Sequence, residues 1–457
     1  MKEYTERLGT APLGRLLVAL SLPGIASTIS TTLYNIVDTI WVAQLGHEAI
    51  AALTIVFPYQ ILYYAVGGGT GIGISALVSR RFGEKNPDAA NRVAGQIFPL
   101  SIIWGLLFIV IALLFADPIL RTIGATPDII DFTRQYFTIT AFGAPLMIFA
   151  ILTSHLIRGS GDAIKPMIIM VSATVLNIIL DPFMIQGIGP FPKMGVAGAA
   201  WATVIAQCWA TLLALYYFIA GKTAFKIKLP HIKPRMRIIG EIYHVGAPSA
   251  ILQITESLAF ALFNILVSSF GSVAIAAVGI VMRASDLAYM PIMGVSHGLL
   301  PIVGYCFGAR NFKRLWKAVK IACVDIAVLQ VFLTIIFEIF APQIISIFNK
   351  DPAFLEVAVP AMRIMLSTMV LIALHIMFIT AFQGLSKGKT ALVLSLIRQF
   401  IVFVPLIYLG RYLYGLTGIW LGCITADILG MVVTTAFIYY EYRYQQKKAL
   451  LPVEEKW

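Results

Sequence analysis

Long apolar stretches alternate with short polar, mostly basic connections, and stretches of roughly 20 apolar residues or more recur about twelve times along the chain. A helix of ~20 apolar residues crosses the ~30 Å of bilayer hydrocarbon, so each stretch predicts one crossing. The predicted spans are 14–43, 49–79, 93–116, 130–157, 164–186, 196–220, 240–268, 274–305, 318–341, 354–382, 390–410 and 416–440. The alternation in ~10-residue units that an outer-membrane barrel needs is not the pattern.

The pattern repeats at half its length. A shift of about 225 residues lays Pro23 on Pro248, Gly46 on Gly271 and Ala49-Ile50-Ala51-Ala52 on Ala274-Ile275-Ala276-Ala277. Gly83 then falls on Gly308, Asn86 on Asn311, Pro127 on Pro352 and Gly159 on Gly384. After a loop about five residues shorter, Gly195 and Gly198 meet Gly415 and Gly418. Duplicated hydrophobic chains build two matching bundles with a site between or inside them. The expectation is an all-α integral membrane protein of twelve transmembrane helices. Residues 1–220 form an N-terminal six-helix bundle, 221–239 a linker, and 240–457 a C-terminal six-helix bundle.

Composition agrees and narrows the class. The 457 residues are 59% hydrophobic and 12% charged, with a mean hydropathy of +0.87 and a formal charge of +12. Lys and Arg gather on the N-terminus and every second connection: Lys2, Arg7, Arg15; Arg80, Arg81, Lys85; Arg158, Lys165; Lys222 to Arg237; Arg310 to Lys317; Lys387, Lys389; and Arg443 to Lys448. The positive-inside rule puts both termini in the cytoplasm of a multi-pass plasma-membrane protein. The same asymmetry accounts for the positive charge, so no nucleic-acid partner is implied. The first ~13 residues carry no cleavable signal pattern, and Cys208, Cys323 and Cys423 lie inside spans with Cys306 at the end of one, so neither disulfide nor metal cluster is expected. Gly384-Leu-Ser-Lys-Gly388-Lys389-Thr390 is one residue short of a phosphate loop and follows no strand. Gly67 to Gly73 reads as a site of close helix approach within a span. No cofactor or ATP use is indicated, and any transport draws on an ion gradient.

The two halves disagree where the chemistry lies. Asp38 faces Phe263, Asp181 faces Leu406, Asn177 faces Val402 and Tyr34 faces Ala259, so acids occupy one bundle only. Charged side chains in hydrocarbon cost ~2.5–3.5 kcal/mol on insertion scales and normally face partners or water. Asp38 and Asp181 each lie about five residues from the outer end of a span, hence at similar depth. Tyr136 reaches that layer and Thr203 lies slightly deeper. Thr31, Tyr34, Asn35 and Asp38 share one helix face, as do Asn177 and Asp181. Pro182 leaves the carbonyl of Ile178 without its usual donor. Two neighbouring acids do not both ionise cheaply, so this set suits a stored proton or, as a possible metal site on Asp38 and Asp181, a Na⁺ ion. In the second half, Arg283 and Asp286 are expected to pair, as are Arg398 and Asp427. Glu256, with Gln253 its nearest polar companion, is a candidate contact for a cationic substrate or a second coupling ion, the alternative being a structural pair with Arg363. Asn35, Gln207 and Gln253 are further substrate-binding candidates. His297 and His375 read as packed, hydrogen-bonded residues. Met282, Met290, Met293, Met362, Met365 and Met369 supply adaptable surface.

Twelve spans in two repeats, Pro23 in the first, Tyr34-Asn35-Ile36-Val37-Asp38 after it, Asn177 to Asp181-Pro182, the Gly195 to Thr203 stretch and Gln383-Gly384 together resemble the multidrug and toxic compound extrusion (MATE) family. The likeness covers nearly the whole chain. Asp38 with Asn177 to Asp181 is most similar to the prokaryotic branch, archaea included, related to DNA-damage-inducible protein F. The resemblance implies a V-shaped pair of bundles, one chain acting as a monomer. It also implies antiport, with organic and often cationic small molecules exported against H⁺ or Na⁺ by alternating access. On that reading Asp38, Asp181, Asn177, Tyr34, Tyr136 and Thr203 couple the cation, and Pro23 weakens the first helix where it must rearrange. The other reading kept open is a flippase for lipid or lipid-linked oligosaccharide from the same superfamily. That would want a strongly basic cavity or extra spans.

Overall fold

Apolar sequence without strand-forming alternation satisfies its backbone inside helices, and the structure is helical throughout. It is a computed structural model that describes residues 2–189 and 191–450, with the side chains of 2–4, 35, 272 and 448–450 outside the description. The helices are α1 Lys2–Thr10, α2 Leu13–Ala43, α3 His47–Gly83, α4 Pro87–Gly95, α5 Ile97–Ile123, α6 Ile130–Gly159, α7 Ile164–Gln186 and α8 Val196–Ile219. There follow α9 Leu229–Ile232, α10 Met236–Ser268, α11 Ser272–Gly308, α12 Phe312–Phe348, α13 Pro352–Ser367, α14 Met369–Gly384 and α15 Gly388–Leu396. A π-helical turn, Ile397–Val402, leads into α16 Phe403–Leu450.

Among the described residues, eleven continuous helical stretches are long and apolar enough to cross a membrane. The last of them, Gly388–Lys447, leaves helical geometry at Tyr414 and Gly415. That break gives the twelve crossings the sequence predicts. Helices run past several apolar stretches because polar residues cap them: Asn86 and Asn311, repeat mates, accept from the amides of Ala89 and Arg314 at 3.0 Å each. The third crossing is broken at Gln96, between α4 and α5, and the tenth at Thr368, between α13 and α14.

The duplication is written in the backbone. Gly195 (φ 57°, ψ −132°) opens α8, and Gly415 (φ 60°, ψ −135°) opens the matching second half of α16. Lys85 and Arg310, also mates, both take left-handed φ, at 56° and 55°. Such values are uncommon for a residue with a Cβ, so their recurrence marks the same turn built twice.

The two bundles meet through α2 against α11 and, by the same symmetry, α10 against α3. Small residues set the distance. A Cβ on Gly69 would come 2.6 Å from Ala250 Cβ, and one on its mate Gly294 would come 2.2 Å from Ile25 Cγ1. Farther down, a Cβ on Gly83 would stand 2.0 Å from the Tyr305 carbonyl, and one on Gly308 would stand 2.1 Å from the Arg80 carbonyl. Arg81 also forms an ion pair with Glu241 across the seam. These approaches lie in the halves of the helices that end in the basic connections. In the other halves, Leu33, Phe57, Leu258 and Leu287 are all at least half exposed.

One element was not foreseen. The basic N-terminal residues form α1, which lies on the C-terminal bundle with Leu8 wholly buried. Arg314 holds it, donating from Nε to the Leu8 carbonyl (3.1 Å) and from Nη2 to the Ala11 carbonyl (2.6 Å). Those carbonyls lie at a helix end, where acceptors lack intrahelical partners.

Candidate functional site

The N-terminal bundle gathers the expected polar set. Asp38 on α2, Asn177 and Asp181 on α7, Tyr136 on α6, and Thr203 and Gln207 on α8 are all buried, with Asp181 fully inaccessible. Tyr34 and Thr203 hydroxyls lie 3.3 Å apart. With its amide turned to suit its neighbours, Asn177 donates to Asp181 Oδ2 at 3.3 Å and accepts from the Thr203 amide at 3.2 Å. Asp38 and Asp181 stand close enough to act on each other electrostatically, and Tyr34 and Tyr136 both sense the charge of Asp38.

Two small cavities flank this cluster. One, about 220 Å³, is lined by Asp38, Thr39, Gln60 and Tyr136; the other, about 60 Å³, by Asn177, Thr203, Gln207 and Tyr64. Tyr34 lines both. Asp38 Oδ1, Asp181 Oδ1 and Gln207 Oε1 are buried without a hydrogen-bond partner among the described residues. Buried acceptors left unsatisfied are costly, which marks these oxygens as places for a proton or a small cation. Among the described residues no three His, Cys, Asp or Glu side chains converge. A cation here would therefore complete its shell with the hydroxyl and amide oxygens around the two carboxylates. The Asn35 side chain lies outside the described residues.

The C-terminal bundle fills the equivalent space with carbon. Phe263, mate of Asp38, is 2% exposed and packs against Phe260, Phe403 and Trp420 with ring centroids 5.9–6.3 Å apart. Beside that aromatic cluster opens a cavity of about 450 Å³, lined by Glu256, Asp286, Tyr289, Arg398, Gln399 and Asp427 together with Met282, Met365 and Met369. Met290 and Met362, expected in the same surface, instead pack as buried core. Arg398 Nη1 donates to Asp427 Oδ1 at 2.7 Å, as expected, and Thr368 Oγ1 adds a bond to Oδ2 at 2.8 Å.

Several pairings differ from expectation. Glu256 accepts from Gln399 Nε2 at 3.1 Å, while Arg363 bonds instead to the Glu338 carbonyl at 3.2 Å. Gln253 faces α3, where a Cβ on Gly68 would meet its Nε2 at 3.1 Å, so it belongs to the inter-bundle seam. Arg283 and Asp286 interact only through space, without an ion pair of 4.0 Å or less among the described residues. A helical i,i+3 spacing brings two Cβ atoms together but does not oblige long side chains to close the gap. His375 Nδ1 does meet Thr434 Oγ1 at 2.9 Å, whereas His297 Nδ1 has no partner among the described residues and its ring stands edge-on to His155 across the seam at 5.6 Å.

The π-helical turn carrying Arg398 and Gln399 was not legible in sequence. An extra residue in a turn redirects the side chains after it, and such turns concentrate at functional sites. Pro23 lies within α2, whose helix continues through it; the Ser27 hydroxyl bonds the Pro23 carbonyl at 2.9 Å.

Two related helix bundles, joined at one end and each holding a polar cavity among its membrane-length helices, define a multi-pass solute transporter of the two-repeat kind. The chain belongs to the MatE family, whose model matches residues 23–183 and 248–409. It is 28% identical over 426 residues to the FAD transporter of Shewanella oneidensis, covering 92% of this chain and 93% of that one. It is 25% identical over 430 residues to the multidrug export protein MepA of Staphylococcus aureus, covering 94% of each. Among solved structures, an outward-facing multidrug resistance MATE transporter of the MOP superfamily superimposes with a TM-score of 0.91 at 28% identity, over 96% of this chain and 98% of that one.

Proposed function

We propose that this protein is a cation-coupled antiporter that exports organic, often cationic or amphipathic, small molecules across the plasma membrane by alternating access. The observation that carries the proposal is a pair of buried aspartates in one bundle, each with an oxygen that has no partner among the described residues. The coupling ion is H⁺ or Na⁺, and Asp38, Asp181, Asn177, Tyr34, Tyr136 and Thr203 receive it.

The packing supports the following cycle. Close approaches at the basic end and exposed apolar helices at the other support a state open away from the basic end, and the outward-facing relative is similar over nearly its whole length. With the positive-inside rule, that state opens outward and both termini are cytoplasmic. In it, a proton or Na⁺ neutralises the Asp38 and Asp181 pair. The cluster then packs more tightly around α2, which lacks one backbone hydrogen bond at Pro23 and so yields there. Residues 1–220 and 240–457 act as the two moving units, with 221–239 as their link, within one monomer. One charge moved through 100 mV contributes ~2.3 kcal/mol, roughly 50-fold accumulation.

Substrate is taken in the C-terminal cavity, with Glu256 in contact and Gln207, Gln253 and Asn35 along the path. Three acidic side chains there stand against the single guanidinium of Arg398, and the three methionines offer a surface that re-packs around varied apolar shapes. That balance favours organic cations, the kind of cargo a multidrug exporter handles, over a polyanion. Purified protein in liposomes is expected to move a fluorescent organic cation when a pH or Na⁺ gradient is imposed and not otherwise. Equal movement without either gradient would refute the coupling.

A further inference from the structure

The duplication exposes a groove that one bundle fills with its own chain and the other, among the described residues, leaves open. In the N-terminal bundle, the linker folds over α4 and the start of α5. Phe225 is buried beside Phe82, the Lys226 amide donates to Asn91 Oδ1 at 2.9 Å, and Gln96 Nε2 donates to the His231 carbonyl at 3.0 Å. The linker passes so near that a Cβ on Gly95 would stand 2.2 Å from the His231 carbonyl. Below it Asp88 and Arg92 pair at 2.8 Å.

The 225-residue shift carries those linker-holding positions onto α12, and all but Arg92, which stays cationic, change chemistry. Asp88 becomes Lys313, Asn91 becomes Trp316, Arg92 becomes Lys317, Gly95 becomes Lys320 and Gln96 becomes Ile321. The result is a groove of about 940 Å³ between α12 and α16. Lys313, Lys317 and Lys320 line it, exposed and on one helix face. Among the described residues none of the three has a carboxylate within 4.0 Å, and neighbouring Glu441 on α16 is taken by Lys387 at 2.6 Å. Trp316 and Tyr442 stand edge to face at 5.4 Å along the same walls. About 15 Å along α12 from Lys313, the lining turns apolar at Cys323, Phe378 and Ile438.

We propose that this groove is a binding site for an anionic membrane phospholipid. The phosphate lies among Lys313, Lys317 and Lys320, the ring of Trp316 flanks the headgroup, and an acyl chain follows the apolar end between α12 and α16. Three features support that occupant. The groove sits where basic side chains meet the ends of the spans, the depth of headgroups. Its lining runs from cationic to apolar as a phospholipid does. Basic pockets between helices on the cytoplasmic side are where such headgroups bind. Trp and Tyr are likewise the residues that settle at this interface.

The test titrates the full-length protein, purified in a neutral detergent, with phosphatidylglycerol, with phosphatidylcholine of the same chains, and with inorganic phosphate, reading bound lipid by native mass spectrometry and Tm. Saturable retention of phosphatidylglycerol alone is expected, with a matching rise in Tm. The triple variant Lys313→Gln, Lys317→Gln, Lys320→Gln alters only exposed side chains and should weaken retention on the order of a hundred-fold. The same exchange at Lys222, Lys226 and Lys228 should leave it unchanged. Equal retention by the triple variant, or equal binding of phosphatidylcholine, would overturn the proposal. So would displacement of the lipid by inorganic phosphate at equal concentration, which would make the groove a free-anion site. Retention that appears only after residues 451–457 are removed would assign the groove to the chain's own Glu454 and Glu455.

Discussion

Replacing Gly308 by alanine should loosen the basic end of the transporter while leaving each bundle folded. The added Cβ would stand 2.1 Å from the Arg80 carbonyl oxygen, and its nearest obstacles are backbone atoms, so no side-chain rotation relieves it. A carbon needs more than 3 Å from that oxygen, so α11 and α3 must part by about 1 Å. Overpacking of this size costs about 1–3 kcal/mol, and at 1.4 kcal/mol per tenfold the closed form loses ~5- to 150-fold in population. Gly83→Ala meets the Tyr305 carbonyl at 2.0 Å and should act alike, because the seam is symmetric. Ser79 offers a reporter: it is fully buried, and a Cβ on Gly304 would stand 2.1 Å from its hydroxyl. In a background without the four native cysteines, Ser79→Cys should react with a water-soluble maleimide at a rate set by opening. Gly308→Ala should raise that rate at least fivefold with little change in Tm. An unchanged rate would mean that this seam is not the gate, and the account of alternating access would fail at its first step.

Other perturbations follow from the same contacts. Asp427→Leu leaves Arg398 buried without its carboxylate and should destabilise the C-terminal bundle by about 3–5 kcal/mol; the double change with Arg398→Met should recover most of that, read as Tm in detergent. Arg314→Ala removes two charge-assisted bonds to carbonyls, about 1.5–3 kcal/mol each, and hydrogen exchange over residues 5–10 should accelerate by tenfold or more. Tyr34→Phe deletes one long bond to Thr203, at most about 1.5 kcal/mol, so the folded protein should survive while its cation dependence of transport changes. Unchanged cation dependence would remove Tyr34 from the site.

Much of the fold was legible because bilayer physics leaves few choices: apolar length predicts crossings, and a 225-residue repeat predicts two bundles with matching turns at Lys85 and Arg310. The N-terminal polar cluster was legible as well, since Asp38 and Asp181 stand at equal depth and have no counterparts in the other half. What escaped was set by side-chain reach and by backbone irregularity. Spacing along α11 suggested that Arg283 pairs with Asp286, but only the fold shows the gap between them. Glu256 finds Gln399 because a π-helical turn rotates that residue inward, and no periodicity announces an inserted residue. The docking of α1 depends on Arg314, more than 300 residues away in sequence, and on carbonyl groups that no side-chain pattern records.

The most direct test of the central claim is ion release. By linkage, a substrate that drives the cation from the Asp38 and Asp181 pair must be driven off by that cation in turn. Adding a fluorescent organic cation to purified protein in weakly buffered solution should release protons, or Na⁺ under a Na⁺-selective electrode, in proportion to the substrate bound. Asp38→Asn should bind the dye and release nothing. The same release from that variant, or none from the wild type with either ion, would contradict the account.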